Sequence, residues 1–329
     1  MPERLRAAVA GMGVAIPPRV LTNADLEKIV ETSDEWITQR TGIKERRIVA
    51  DGQSTATLAT EAARNALADA GMTSADIDLI ICATITPEMI FPATACFVQQ
   101  ALGAVDVPAF DLSAACSGFI YALSIAAQFI EAGVYRRVLV IGAEALTRFV
   151  DYSDRASCVL FGDGAGAAVL QAGRDDRGLL YSVLHADGGG WDYIHIPAGG
   201  ARTPSSRATV GAGGHYIKMR GREVYRFAVE KMQWLLGDCL EHCNLRPEDV
   251  DLVVPHQVNV RILRSAAEKF NFPMDKIAVN IDRYGNTAAA SIPLAWYEAR
   301  QAGRVGPGST VMLIAFGAGL TWAGAVLKM

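Results

Sequence analysis

The chain has 329 residues, of which 51% are hydrophobic and 20% charged, with a net charge of −4. That length exceeds one ordinary core and predicts two domains or one large duplicated one. The small negative charge supplies no basic field for nucleic acid or anionic lipid, and no apolar run approaches a membrane span.

The opening MPERLRAAVAGMGVAIPP has a short apolar stretch that runs into Pro17-Pro18, and it reads as a first buried strand rather than a signal peptide. With no export signal, the expected compartment is the cytoplasm. The six cysteines (82, 96, 116, 158, 239, 243) are then expected as thiols. Gly11-Met12-Gly13 lacks the third glycine of a dinucleotide-binding turn and meets the prolines where a helix should run. Thr32 and Glu35 have capping-box spacing, which predicts a helix with Trp36 and Arg40 on one face. An indole beside a guanidinium can hold an adenine and a phosphate, or form a structural cation–π pair.

Apolar β-branched runs at 78–83, 138–143, 276–281 and 310–315 alternate with helical periods, predicting an α/β protein with largely parallel sheets. The segment from Cys116 to Gly133 is apolar on nearly every side and predicts a helix buried between layers. Cys239, His242 and Cys243 invite a metal reading. However, Cys239 and Cys243 fall on one apolar stripe with Val224, Phe227, Met232 and Leu235, and His242 lies off it, so core packing is the expectation. The glycines of GDGAGAAV (162–169) suit a turn between hairpin strands better than a nucleotide site.

The chain also repeats itself. LADAGMTSADIDLIICAT (67–84) aligns without gaps on LEHCNLRPEDVDLVVPHQ (240–257), with Asp76, Asp78 and Leu79 recurring as Asp249, Asp251 and Leu252. Residues 112–133 lie over 282–303, and FGDGAGAAVL (161–170) resembles FGAGLTWAGAVL (316–327). Three blocks in one order predict two copies of an α/β unit, residues 1–175 and 176–329, about a pseudo-twofold axis. In this alignment Cys116 falls on Asn286 and His256 on Ala83, so Cys116 and Asn286 are expected to start equivalent helices with His256 at a strand end nearby.

Each of the three has an ordinary reading alone: a small core cysteine, a strand-end histidine, a turn asparagine after Gly285. Together they suit chemistry. A cysteine at a helix start meets the positive end of the helix dipole, which favours the nucleophilic thiolate, and Ala114, Ala115, Ser117 and Gly118 leave room for a substrate.

DEWITQRTGIKERR (34–47), DLSAACSGF (111–119), DRASCVLFGDGAGAAVL (154–170), VPHQVNVRI (254–262), DRYGNTAAASIP (282–293) and AFGAGLTWAGAVL (315–327) together resemble the β-ketoacyl-[acyl-carrier-protein] synthase III family, from end to end of the chain. The resemblance implies a duplicated thiolase-like fold, with two mixed sheets in α-β-α-β-α layers around buried central helices. It implies a Cys116, His256, Asn286 triad, a homodimer, and condensation of acyl-CoA, with acetyl-CoA the expected starter, and malonyl-acyl-carrier protein to 3-oxoacyl-acyl-carrier protein, CoA and carbon dioxide. Coenzyme A is then a substrate, and no metal or redox cofactor is expected.

In such an enzyme the Cys116 thiolate takes the acyl group, and backbone N–H groups of Cys116 and of the Phe316, Gly317, Ala318, Gly319 loop form an oxyanion hole. His256 and Asn286 donate to the enolate left by decarboxylation. The resemblance carries coenzyme A contacts onto Thr32, Trp36, Arg40, Arg155, Gly221 and Asn259. Carrier-protein contacts fall on Gln257, Val258, Asn259, Val260 and Arg261, with Arg226 and Lys269. Phe91 matches an aromatic that floors the partner subunit's acyl pocket. Arg222 stands where the best-known members of the family have asparagine, and Val258 replaces an alanine, which puts pantetheine contacts in question.

Related chemistries differ at the motifs. Thiolases place a second cysteine in the C-terminal glycine loop, which here reads FGAGLTW. Elongating ketoacyl synthases have a second histidine where Asn286 stands, and plant-type polyketide synthases keep the triad in longer chains. A Cys/His/Asn hydrolase fits the residue types alone, but the alanine-rich turn offers no peptide cleft. A non-catalytic dinucleotide-binding protein is the remaining alternative.

Overall fold

The computed structural model describes residues 5–173 and 177–329, and the expected boundary at residue 175 lies outside the described residues. The first sheet contains β1 (Arg6–Ala15), β2 (Leu79–Ala83), β3 (Ala109–Leu112), β4 (Arg137–Glu144) and β5 (Gly164–Gly173), in the order β1-β5-β4-β2-β3. The second contains β6 (Gly178–Ala186), β7 (Leu252–Pro255), β8 (Thr310–Gly317) and β9 (Thr321–Lys328), in the order β7-β8-β9-β6. Taken from its other edge the second sheet has the order of the first. In each, the equivalent pair is parallel (β2 with β4, β7 with β8) and the following strand returns antiparallel. Where β3 lies in the first sheet, the second keeps a single parallel bridge from Val253 to Ile277. Both sheets are therefore mixed, not largely parallel, because the last strand of each unit turns back as a neighbour of the strand before it.

The recurring aspartates do the same work twice. Asp78 accepts the N–H of Arg137 at 2.8 Å and Asp251 that of Thr310 at 2.7 Å, each pinning the start of the parallel neighbour strand.

Seven helices matter for the site: α1 (Asp34–Thr41), α2 (Thr55–Asp69), α3 (Thr94–Leu102), α4 (Gly118–Glu131), α5 (Gly221–His242), α6 (Val260–Lys269) and α7 (Ser291–Gln301). Strand side chains alternate faces, and the alternation sorts the core into layers. Leu79, Ile81, Val138 and Val140 of the first sheet, with Leu252, Val254, Val311 and Leu313 of the second, meet Phe119, Leu123, Ile292 and Trp296 of α4 and α7 in a middle layer. Ile80, Cys82, Leu139 and Ile141 face α2, while Val253, Met312 and Ile314 face α5 and α6. The result is an α-β-α-β-α stack, and it explains why α4 is apolar all round: it has a sheet on each side. The stripe along α5 packs as expected, with Phe227, Met232, Leu235 and Cys239 buried. Among the described residues no helix is long and apolar enough to cross a membrane.

The central helices enter through matching tight turns, Ala115–Ser117 and Ala288–Ala290, each opening on an alanine in the left-handed region (φ 47° and 41°). This corrects the ungapped alignment. At their far ends Gly133 and Gly303 correspond, but α7 has 11 residues where α4 has 14, so Cys116 matches Ala289 and Asn286 lies three residues ahead of Ala289. Asn286 therefore does not start a helix; it sits on the approach to one.

Close backbone contacts account for several glycines. A Cβ on Gly13 would stand 2.2 Å from Ala66 N on α2, and one on Gly142 of β4 would stand 2.4 Å from Ala289 O. In GDGAGAAV, Gly164 and Gly166 belong to β5, not to a hairpin turn, and a Cβ on Gly166 would press on Pro293 at 2.7 Å. Overpacking of this kind costs about 1–3 kcal/mol. Gly142→Ala should therefore lower the denaturant midpoint by that amount of stability with an unchanged slope; a loss below about 0.5 kcal/mol would show that the turn can retreat.

Candidate active site

Cys116, His256 and Asn286 line one cavity of about 280 Å³, walled mainly by apolar side chains such as Ile85, Leu146, Phe161, Ile217 and Phe227. Each arrives by a different route. Cys116 is the middle residue of the turn before α4 and is 8% exposed. His256 follows β7, its N–H bonded to Ile314 O of β8 at 2.7 Å. Asn286 forms a parallel bridge with Phe161: its N–H donates to Leu160 O at 2.8 Å, and Gly162 N–H donates to its carbonyl at 3.0 Å.

The loop after β8 lies on the cysteine. A Cβ on Gly317 would stand 2.8 Å from Cys116 Cβ, 2.9 Å from its N and 3.1 Å from its Sγ, so only glycine allows this approach. Phe316, Gly317 and Ala318 line the cavity, while Gly319 lies in the turn to β9. The Cys116 N–H is turned toward its own sulfur, which lowers the thiol pKa, but burial outweighs it and, with the Glu144 carboxyl adding to the effect, pushes the thiol up to about 12. Desolvation of the anion therefore opposes the expected pull of the helix start on the thiolate.

His256 is 1% exposed, and burial pushes its imidazole down to about 3, so it is neutral at physiological pH. Its Nδ1 lies 2.7 Å from Ser291 Oγ, which donates to Ala288 O at 2.8 Å, and its ring meets Phe316 edge-on at 5.7 Å. Asn286 Oδ1 accepts Ala288 N–H at 2.9 Å, so its NH2 is the end left for the cavity.

Two contributors escaped the sequence reading. Ser291 opens α7 and carries only the signature of a polar residue in an alanine run. Glu144 closes β4, fully buried, and accepts from Thr84 Oγ1 at 3.2 Å, Ile85 N at 3.2 Å, Thr86 N at 3.1 Å and Thr86 Oγ1 at 2.5 Å. It thereby holds the Thr84–Thr86 backbone, of which Ile85 and Thr86 line the cavity. Burial raises it to about 7 against the pull of those donors. An acid ending the apolar run 138–143 was the available signal.

The outer residues divide. Trp36 carries Arg40 and Arg155 over its indole, at 5.2 and 4.9 Å. The α1 cap is Ser33, accepting Trp36 N–H at 3.1 Å, not Thr32, because the extended residue lies one position later. Thr32 Oγ1 is buried without a partner, and Glu35 instead accepts from Gln39 Nε2 at 2.8 Å. Gly221 opens α5 beside open space, with Arg222 exposed next to it. Asn259 caps α6, accepting Arg261 N–H at 2.8 Å, and donates to Arg40 O at 2.8 Å. Gln257 is corrected as a carrier contact: it is 1% exposed, and its amide bonds Pro255 O, Ala278 O and Asn280 N within the chain. Val258 lines the cavity and Val260 packs beside Gly42, both of them half-buried. Arg226, Arg261 and Lys269 are exposed on α5 and α6, as is Arg264, which the sequence reading omitted. Phe91 is 82% exposed beside Ile90 at 80%, and it does not line its own chain's cavity.

The paired sheets around α4 and α7, with a cysteine at the first central turn, define a condensing enzyme of duplicated thiolase-like fold. Family models described as 3-oxoacyl-[acyl-carrier-protein] synthase III match residues 110–188 and, for its C-terminal part, 240–329. The chain is 52% identical over 328 residues to the β-ketoacyl-[acyl-carrier-protein] synthase III of Caldanaerobacter subterraneus subsp. tengcongensis, covering 100% of this chain and 99% of the relative. It is also 52% identical over 320 residues to that of Symbiobacterium thermophilum, covering 97% of each. The crystal structure of 3-oxoacyl-[acyl-carrier-protein] synthase III from Aquifex aeolicus superposes with a TM-score of 0.91 at 48% identity, over 98% of this chain and 100% of that one. The chain belongs to the β-ketoacyl-[acyl-carrier-protein] synthase III family.

Because burial holds Cys116 as a thiol, alkylation by a neutral reagent, mapped to Cys116 by mass, should accelerate steadily as pH rises from 7 to about 10. A plateau reached below about pH 8 would mean that the thiolate is already formed in the resting enzyme.

Proposed function

We propose that this enzyme transfers a short acyl group, with acetyl-CoA the first candidate, from coenzyme A to Cys116 and condenses it with malonyl-acyl-carrier protein, starting fatty acid synthesis in the cytoplasm. The observation that carries the reading is the shared cavity: a cysteine, a neutral imidazole and an amide, with the Gly317 loop seated on the cysteine. The two halves, 1–175 and 176–329, divide the work, the first supplying the nucleophile and the second His256 and Asn286.

In loading, Cys116 sulfur bonds the thioester carbonyl carbon and the carbon–sulfur bond to coenzyme A breaks; the cysteine proton leaves with CoA as its thiol. The Cys116 N–H and the N–H groups of the Phe316–Gly319 loop receive the oxyanion. In condensation the malonyl carboxylate departs as carbon dioxide, and the electron pair it leaves makes an enolate. That carbon attacks the acyl-cysteine carbonyl, and the cysteine sulfur leaves as thiolate and takes up a proton. Asn286 Nδ2 and His256 Nε2 donate to the enolate oxygen. Ser291 supports the histidine: donation from Nε2 requires the Ser291 hydroxyl to turn its proton from Ala288 O to Nδ1, which places the ring proton on Nε2, while Ala288 O keeps the Ser291 N–H as its donor.

For coenzyme A, the Trp36 indole offers a face to adenine with Arg40 and Arg155 beside it, while the unpartnered Thr32 hydroxyl is buried and must turn outward to reach the ligand. Arg226, Arg261 and Lys269 make the basic face for an acidic carrier protein. The exposed Ile90-Phe91 pair suits a homodimer in which Phe91 enters the partner's acyl pocket.

Loss of one oxyanion donor costs about 10²–10³ in rate. Asn286→Ala should still gain one acetyl mass at Cys116 from acetyl-CoA but release carbon dioxide from malonyl-acyl-carrier protein about 10²–10³ times more slowly, and His256→Ala should do likewise. Acylation lost with decarboxylation spared, or acetyl mapped to Cys82 or Cys158, would contradict this division. Arg261→Glu should weaken use of malonyl-acyl-carrier protein, most at low salt, and leave acetyl-CoA loading unchanged. Equal loss in both steps would remove Arg261 from the carrier face.

A further inference from the structure

We propose that Arg46 is a positioning residue for Asn286: from beneath the loops of both halves it fixes the backbone crossing that presents the Asn286 amide to the cavity. The proposal rests on the reading of Asn286 as a decarboxylation donor. Arg46 is fully buried. Its acceptors are Leu21 O at 3.1 Å, Asn23 Oδ1 at 2.9 Å and Val159 O at 2.8 Å, none of them a carboxylate, and its Nε has no partner. Burying a guanidinium with no carboxylate bonded to it is costly, and an apolar residue would fill the same space more cheaply, so its three directed bonds are what distinguish it.

Those bonds and its stem meet at the crossing. The carbonyl Arg46 holds belongs to Val159, and the next residue, Leu160, accepts the Asn286 N–H. A Cβ on Gly162 would stand 3.1 Å from Arg46 Cβ, and one on Gly285 would stand 3.3 Å from it. These two glycines flank the bridge on its two strands, so both backbones rest on the Arg46 stem while the guanidinium ties down the residue that precedes the bridge. Cys116 is carried separately, on the turn before α4 and against Gly317. Disturbing Arg46 therefore moves the amide and leaves the nucleophile in place.

The test compares R46M, R46K and N286A in the full-length protein. Acetyl loading of Cys116 is followed by mass, and carbon dioxide release from malonyl-acyl-carrier protein is followed with the acetylated enzyme. A small misplacement of a catalytic group can cost about a hundredfold. R46M should load acetyl at the parent rate and release carbon dioxide about ten- to a hundredfold more slowly, with R46K between R46M and the parent. A merely structural arginine would lower both rates together or neither, and either result overturns the proposal. If R46M does not fold, the same comparison on R46K decides. An N286A enzyme that shows the split while neither Arg46 variant does refutes this proposal alone. An N286A enzyme that loses loading and spares decarboxylation refutes the underlying reading and this proposal with it.

Discussion

The site is organised by the seating of the Gly317 backbone on Cys116. Because residue 317 has no side chain, the end of β8 comes within contact of the nucleophile's N, Cβ and Sγ. β8 pairs with β7, and His256 hangs from the end of β7 by its bond to Ile314. One close approach therefore brings the second sheet's functional end onto the first half's central turn. The Phe161–Asn286 bridge closes the same seam from the other side, a first-half loop holding a second-half residue by two backbone bonds. Neither half completes the cavity alone.

Desolvation then decides the charge states. The same burial pushes Cys116 up and His256 down, so the resting site holds an uncharged thiol, imidazole and amide. Such a site is suited to a reaction in which negative charge appears on an oxygen and disappears again, since fixed neutral donors stabilise it without reorganising. Glu144 is the buried acid nearby, and its four donors, two backbone N–H groups and two threonine hydroxyls, come from the Thr84–Thr86 segment, which keeps its carboxyl group engaged rather than free to meet an enolate.

Much of this was legible in the residues. The three repeated blocks anticipated two sheets of one order, and a helix start among small residues and a strand end pointed to Cys116 and His256. The slip of three residues between Cys116 and Asn286 was not legible, because a helix shortened by one turn preserves its pattern and its closing glycine while moving its start. Thr32 and Ser33 are both good caps, and only backbone geometry separates them. Gln257 looks like a surface residue from its type; its burial depends on Pro255, Ala278 and Asn280 surrounding it from two segments. Glu144 and Ser291 show locally only as polar residues beside apolar runs, and partners distant in sequence give them their roles.

The central claim is that a neutral imidazole faces the thioester in an apolar-walled cavity. It is tested most directly by a pH titration of His256 followed by nitrogen NMR on ring-labelled histidine, with the signal assigned by its loss in His256→Gln. With burial holding the group at about 3, its ring resonances should stay in the neutral pattern from about pH 8 to pH 5, while an ordinary histidine titrates near 6.5. A His256 that protonates at the ordinary value would contradict the account, because the site would then carry a positive charge and not two uncharged donors.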